Sequence, residues 1–430
     1  MSLFVSSHRT CLSRGLAVAL FALSSHAQEV SPPTFTLSAA LERALEQNPG
    51  LIAQGYSARA AEGLIEQAGL RPNPTLDVSV ENVLGTGRVQ GVRSLETTVQ
   101  GSQTFERGGK RGKRVDFATK EREVAAKDYA VRRSEVVATT AVAYVETLAA
   151  QQRVALAEEP LQLARATLDA VEFRVKAGAA SPAEAARARA ALAFGQGELA
   201  RAKAALVAAR AVLSATWGGS PADVTVLPGI PRILEALPPE EAFLAQIAQH
   251  PQIELQKAIV GSRRASLDLE KAQAAQDITV GGGVRFLREG TDAAFVAGVS
   301  VPFPVHNRNQ GNIRAARENL AGAEQTIRAV EVELRSAFTA VWQDLKAANS
   351  AAQNLRRDVL PATEEAYTVV RRAYEEGQLP LIDVLDAQRA LVAIRREILD
   401  AESAYTVALV RAESLTDPAF PLTTSLFSSK

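Results

Sequence analysis

Cysteine is nearly absent from this sequence: 430 residues contain one, Cys11, together with one Met, two Trp and four His. That scarcity excludes a disulfide framework and leaves few soft ligands for a metal. Aromatic residues make up 5% of the chain, which argues against several compact cores. Charge of one sign is lacking as well, because 48 basic residues meet 48 acidic ones. A protein built around a polyanion normally carries a clear basic excess, so nucleic acid is not an expected partner. What the chain has in abundance is alanine and aliphatic residues, a composition that favours long, closely packed helices over several separate domains.

Arg9 and Arg14 precede the apolar run Gly15 to Leu23, and Ser25-His26-Ala27 offers small residues where a signal peptidase reads. A signal peptide over 1–27 is therefore predicted. The apolar run is about half of the ~20 residues that a spanning helix needs. Without this leader the chain keeps 46 basic and 48 acidic groups, no Cys and no Met, with His250 and His306 as its remaining histidines. Cys11 lies before the apolar run, where it cannot serve as the acylated cysteine of a lipoprotein.

The remainder is duplicated. Ala44–Gln54 (ALEQNPGLIAQ) recurs as Gln246–Gln256 (QIAQHPQIELQ), and Ala177-Gly178 recurs as Glu376-Gly377. Self-similarity of this kind fixes the plan of a fold before its elements are read. Two repeats are expected, 28–237 and 238–430, joined through the Gly/Pro-rich stretch between Trp217 and Pro239.

Each repeat carries a pair of alternating segments, expected as strands at about 75–84 and 95–105 and at about 277–287 and 293–303. Leu76, Val78 and Val80 alternate with Asp77, Ser79 and Glu81; Ile278, Val280, Val284 and Phe286 alternate with Thr279 and Arg285. Strands of about ten residues, apolar on one face and small or polar on the other, have the length and pattern of tilted membrane strands. The same pattern suits a hairpin of a soluble protein with one face on a core. Four strands cannot close a membrane barrel, and lipid tolerates no open sheet edge, so oligomerisation would have to supply the rest.

The other segments read as helical hairpins, at about 113–216 and 311–413. Ala185, Leu192, Leu199, Leu206 and Leu213 recur every seven residues with Ala188, Gly195, Ala202 and Ala209 between them; Val384, Leu391, Ile398 and Tyr405 repeat the pattern with Ala387, Ile394, Ala401 and Ala408. Large residues at one seam position and small ones at the other let helices approach closely. Lys113 to Lys176 contains no glycine, and wholly helical it would extend ~96 Å at 1.5 Å per residue. Pro160 and Pro361 predict a kink or break at equivalent points of the two hairpins. Gly178 and Gly377 mark the turns at the tips.

Leader, duplication, two strands per repeat and long seamed hairpins together resemble the TolC-like outer-membrane factors. The more specific stretches are Val301 to Gly311 (VPFPVHNRNQG), where the fourth strand returns toward the helices, and Gly377 to Ala387 (GQLPLIDVLDA) at the second tip. Phe105, Gly109, Phe303, Pro304, Asn307, Gln310 and Gly311 belong to the strand-to-helix return motifs, and Phe105 to Arg114 looks most like the CzcC-type, cobalt-zinc-cadmium branch. The resemblance implies a mostly α protomer with a small β part, trimerising into a twelve-stranded outer-membrane β-barrel on a periplasmic α-helical barrel. It implies a passive duct that works with a periplasmic adaptor and an inner-membrane RND-type pump, contacts outer-membrane lipid, needs no cofactor and is not an enzyme. By the same resemblance Asp383 and Asp386 match pore-constricting aspartates, Tyr374 matches a gate tyrosine, Glu184 stands opposite Asp383 in the duplication, and the tips at Gly178 and Gly377 meet the adaptor. The family's gate arginine falls on Leu379, and Arg187 stands opposite Asp386. Alternatives are a multidrug or type I secretion duct, or a soluble periplasmic coiled-coil adaptor.

Other clusters point to no chemistry. Asp383 and Asp386 share a helix face, but neither His250 nor His306 is near them in sequence. His250 precedes Pro251 where Asn48 precedes Pro49, which marks it as structural, and His306 reads as interfacial. Arg107, Lys110, Arg111, Lys113 and Arg114 fail the phosphate-loop pattern, since Arg114 follows Gly112-Lys113 where Ser or Thr is required. Placed just after a strand, this cluster is expected to meet anionic headgroups.

Overall fold

The computed structural model describes residues 35–229, 237, 239–416 and 423. The expected signal peptide lies outside the described residues, as do 230–236, 417–422 and 424–430.

The chain opens with two helices, α1 (Leu37–Gln47) and α2 (Pro49–Gly69). Asn48 separates them. Its backbone is extended, its side chain accepts from Leu51 N at 2.8 Å, and Pro49 occupies the first turn, where a missing N–H costs nothing. The strands β1 (Thr75–Glu81) and β2 (Glu96–Phe105) follow, then α3 (Lys110–Lys176) and α4 (Pro182–Ala215). The second half repeats the order: a short α5 (Glu240–Leu244), α6 (Pro251–Gln273), β3 (Ile278–Leu287), β4 (Asp292–Ser300), α7 (Gln310–Asn354), α8 (Leu360–Glu375) and α9 (Leu381–Ser414). His250 repeats the Asn48 device, capping Gln252 N through Nδ1 at 3.2 Å.

The four strands form one antiparallel sheet in the order β1-β2-β3-β4. Pairing is continuous: Val78 faces Val99, Val99 faces Val284, and Val284 faces Phe295. That register gathers one face from Leu76, Val78, Val80, Val99, Val280, Val284, Phe286, Phe295 and Val299, with Phe295 93% exposed. The outer edges of β1 and β4 carry no ladder partner among the described residues. The four helices that adjoin strands, α2, α3, α6 and α7, all meet the sheet at one end, and the 82–95 and 288–291 connections lie at the other.

At 67 residues, α3 runs from the sheet to the far tip, about 100 Å at 1.5 Å per residue. The seven-residue seam is its contact with α4, whose Ala185, Ala188 and Leu213 are buried while the residues between the seam positions are largely exposed. The expected break at Pro160 does not occur, since α3 stays helical through it. Arg153 pairs with Asp400 of α9 before the proline and Val171 packs with Ala185 of α4 and Leu385 of α9 after it, and this tertiary support overrides the local cost. In the second hairpin the expectation fares differently. One π-helical turn, Leu355–Val359, interrupts the helix directly before Pro361. A wider turn moves the carbonyls away from the proline ring, so the helix passes Pro361 without clash.

Two aromatic-centred clusters hold the base of the hairpins. Phe35, Tyr144, Leu148, Leu213 and Trp217 pack in the first half, and Phe243, Phe338, Trp342, Tyr405 and Leu409 in the second. The Phe35 and Trp217 ring centroids are 5.6 Å apart, and those of Phe243 and Trp342 5.1 Å. Val410 of α9 belongs to the first cluster although its neighbours belong to the second, so α9 stitches the two together.

Candidate functional site

Both tips are built the same way. Gly178 has φ +73° and Gly377 φ +78°. At each, the glycine N–H bonds back to the second-last helical carbonyl, Val175 or Tyr374, and the next N–H reaches Arg174 or Ala373, a Schellman motif that requires left-handed backbone. A Cβ would meet nothing within 4 Å at either glycine, so conformation alone selects the residue. The chain then enters α4 and α9. Ser181 caps α4 by accepting from Glu184 N at 3.3 Å, and Pro380 precedes α9.

Glu184 and Asp383 are therefore equivalent, each in the first turn of a tip helix. A carboxylate there interacts favourably with the helix N-terminus, which gives both acids a structural use. Asp386, one turn on, pairs with Arg389 of its own helix at 2.9 Å. Between the acids the two hairpins share a small apolar cluster of Val171, Ala185, Leu381 and Leu385, against which Tyr374 packs.

Arg174, which the sequence did not single out, crosses between the hairpins. Its Nη1 donates to Tyr374 Oη at 2.8 Å, and its guanidinium lies 5.6 Å from the ring centroid. The available signal was its place in the last turn of α3, where a cation also suits the helix C-terminus. Further from the tips, Arg395 bridges Glu159 and Glu364, both at 3.1 Å, Arg396 pairs with Glu198 at 2.8 Å, and Arg153 with Asp400 at 2.6 Å. These pairs tie α9 to α3, α4 and α8.

The return joints at the other end are tightly hydrogen-bonded. Gly109 and Asn309 occupy the same position before α3 and α7, with φ 71° and 59°. Asn307 accepts from Asn309 N at 3.0 Å, Gln310 accepts from Arg308 N at 2.8 Å and donates to His306 O at 3.1 Å, and Asn309 donates to Glu270 O at 2.8 Å. Pro304 O accepts from Arg308 Nε at 3.2 Å. At Gly108 a Cβ would sit 2.6 Å from Ala275 Cβ, so glycine is needed for close approach as well as for φ +69°. Phe303 is 87% exposed and Phe105 55%. Gly311 lies in the first turn of α7 with open space around it.

The basic cluster is largely paired internally. Lys110 pairs with Asp277 at 2.8 Å, Lys113 with Asp268 at 3.4 Å, and Arg114 with Glu106 while also donating to Leu70 O at 3.1 Å. Burial works against ionisation of Asp277, but Lys110, the Arg107 N–H and nearby cations outweigh it and hold the carboxyl below its ordinary value. Arg107 and Arg111 are the members left exposed.

Among the described residues, no group of three or more His, Cys, Asp or Glu is arranged to hold a metal ion, and no helix is long and apolar enough to cross a membrane. The profile of the family described as outer membrane efflux protein matches residues 40–219 and 244–416, both halves of the duplicated architecture. The chain belongs to this family. As an outer membrane efflux protein it is 32% identical over 360 residues to the cobalt-zinc-cadmium resistance protein CzcC of Cupriavidus metallidurans, covering 84% of each chain. It is likewise 32% identical to the nickel and cobalt resistance protein CnrC of the same organism, covering 76% of this chain and 78% of that one. Its fold matches the outer membrane protein VceC of Vibrio cholerae with a TM-score of 0.71 at 19% identity, covering 88% of this chain and 95% of that one. The chain is thus an outer-membrane efflux component with a TolC-like fold.

Proposed function

We propose that three copies of this chain form a passive outer-membrane duct for divalent heavy-metal cations. The observation that carries the reading is the sheet: one face is apolar and exposed, the other polar, and both edges lack partners among the described residues. Lipid can accept that face only if each edge finds a strand from a neighbour. Three four-stranded sheets then make twelve strands, with the helical hairpins continuing the wall into the periplasm. In this reading 1–27 is a cleaved leader, and 28–237 and 238–430 are the two repeats of one protomer.

The cargo assignment rests on similarity to relatives named for cobalt, zinc, cadmium and nickel resistance. The duct supplies no energy; an inner-membrane RND-type pump does, through a periplasmic adaptor seated at the tips around Gly178 and Gly377. Asp383, Asp386 and Glu184 would form acidic rings at the periplasmic constriction, which favour cations over anions, while Tyr374, held by Arg174, joins the hairpins behind them.

Deletion of the gene from its host tests the cargo. Sensitivity to zinc, cobalt and cadmium should rise and be restored by the wild-type chain. Unchanged metal tolerance with lost tolerance to organic drugs would reject the metal assignment and keep the duct. Recovery of the protein in the soluble periplasm, without trimers in detergent, would reject the duct itself.

A further inference from the structure

The face of the sheet opposite the apolar one contains Asp77, Glu81, Glu96 and Asp292 among its strand residues, and a single cation, Arg285. Its position is particular. Glu81 of β1 stands directly across from Glu96 of β2, a placement in which like charges destabilise a strand pair. Arg285 of β3 faces Thr98, one same-face step from that acidic pair. Its Nη1 donates to Glu96 Oε2 at 3.0 Å, its Nε to Thr98 Oγ1 at 3.1 Å, and its Nη2 lies 3.6 Å from Glu81 Oε2. Asn82 adds a donor to Glu96 Oε1 at 3.3 Å. The group sits at the loop end of the sheet, furthest from the helices, and Arg285 and Glu81 remain partly open to solvent.

We infer that Arg285 is a specificity-determining residue of the outer mouth of the pore, where it neutralises one charge of the facing Glu81–Glu96 pair in each protomer and keeps the exit from retaining cations. The inference rests on the barrel reading, which makes the polar face the lumen. A constriction for cations at the inner end needs an exit that releases them, because conduction requires sites weak enough to leave. Glu81 and Glu96 without Arg285 would present two negative charges per protomer at the mouth; with it they present one. The arginine also spans three strands, so one side chain both joins β1, β2 and β3 and sets the local field.

Planar-bilayer recordings under a potassium chloride gradient, on the purified full-length protein, separate these roles. Arg285→Gln should raise the cation-to-anion permeability ratio by about twofold or more, and Glu81→Gln with Glu96→Gln should lower it, since a freed arginine then faces the lumen. The triple variant should return toward the wild-type ratio. A purely structural staple would alter trimer stability without these opposite signs. A conducting wild type whose ratio is unmoved by Arg285→Gln overturns the assignment of Arg285 alone; a wild type that forms no pore overturns the barrel reading. Should Arg285→Gln not assemble, the Glu81 and Glu96 double variant decides, and an unchanged ratio there overturns the inference.

Discussion

His250 links two ends of a repeat through one ring. Nδ1 accepts from Gln252 N, so the remaining proton is on Nε2, which donates to Ser414 O at 3.2 Å. Asn48 does the same in the first repeat, accepting from Leu51 N and donating to Thr216 O at 2.7 Å. The difference is that only the histidine titrates. Burial pushes its pKa below the ordinary 6.5, and the Ser414 carbonyl opposes that only in part. The folded state therefore favours the neutral ring: the contribution to stability is complete above the unfolded value and is lost as pH falls below about 6.5. Protonation would also put a hydrogen on Nδ1 facing the Gln252 N–H, removing a cap worth about 1 kcal/mol. Thermal unfolding of the detergent-solubilised protein should weaken on acidification in the wild type more than in His250→Asn; equal pH profiles would refute the role. The sequence disclosed this pair, because Asn48-Pro49 and His250-Pro251 stand in a visible repeat. It did not disclose Arg174, since a contact between residues 200 apart leaves no local pattern.

At the level of elements, the tips and the π-helical turn make contrasting demands. Gly178→Ala and Gly377→Ala each force a side chain into left-handed backbone, at about 1–2 kcal/mol. Because no atom blocks the added Cβ, Asn at either position should cost less than Ala, and comparative unfolding of the three variants checks the order. The π-helical turn carries Arg356, whose Nε is in ion contact with the buried carboxylate of Glu402 on α9, though without a well-aligned hydrogen bond. Burial raises the Glu402 pKa and Arg356 opposes the rise. A raised folded-state pKa means stability is fullest at low pH and declines as the group ionises. Glu402→Gln should therefore flatten the fall in stability as pH rises above about 4.5, and a steeper fall would contradict this account. Strand alternation and the seven-residue seam were legible because burial on one face imposes a period. The absence of a break at Pro160 was not legible because the support that keeps α3 helical there comes from α4 and α9, which no window of local sequence contains.

Across the whole protomer, each half contains one tryptophan, Trp217 with Phe35 and Trp342 with Phe243 and Phe338. Since α9 belongs to both clusters, the halves should unfold together. Trp217→Phe and Trp342→Phe, each leaving a single reporter, should give coincident fluorescence transitions in denaturant; transitions separated along the denaturant axis would mean that the repeats are independent. The sheet leads further. A lone chain presents a greasy face that water rejects, strand edges left bare by the described residues that lipid rejects, and charged helices that belong in water. No single environment in the cell suits all three at once. If the proposed trimer holds, newly exported chains have no resting place as monomers, so assembly and entry into the membrane become one event, and any chain that misses it is left to chaperones and proteases.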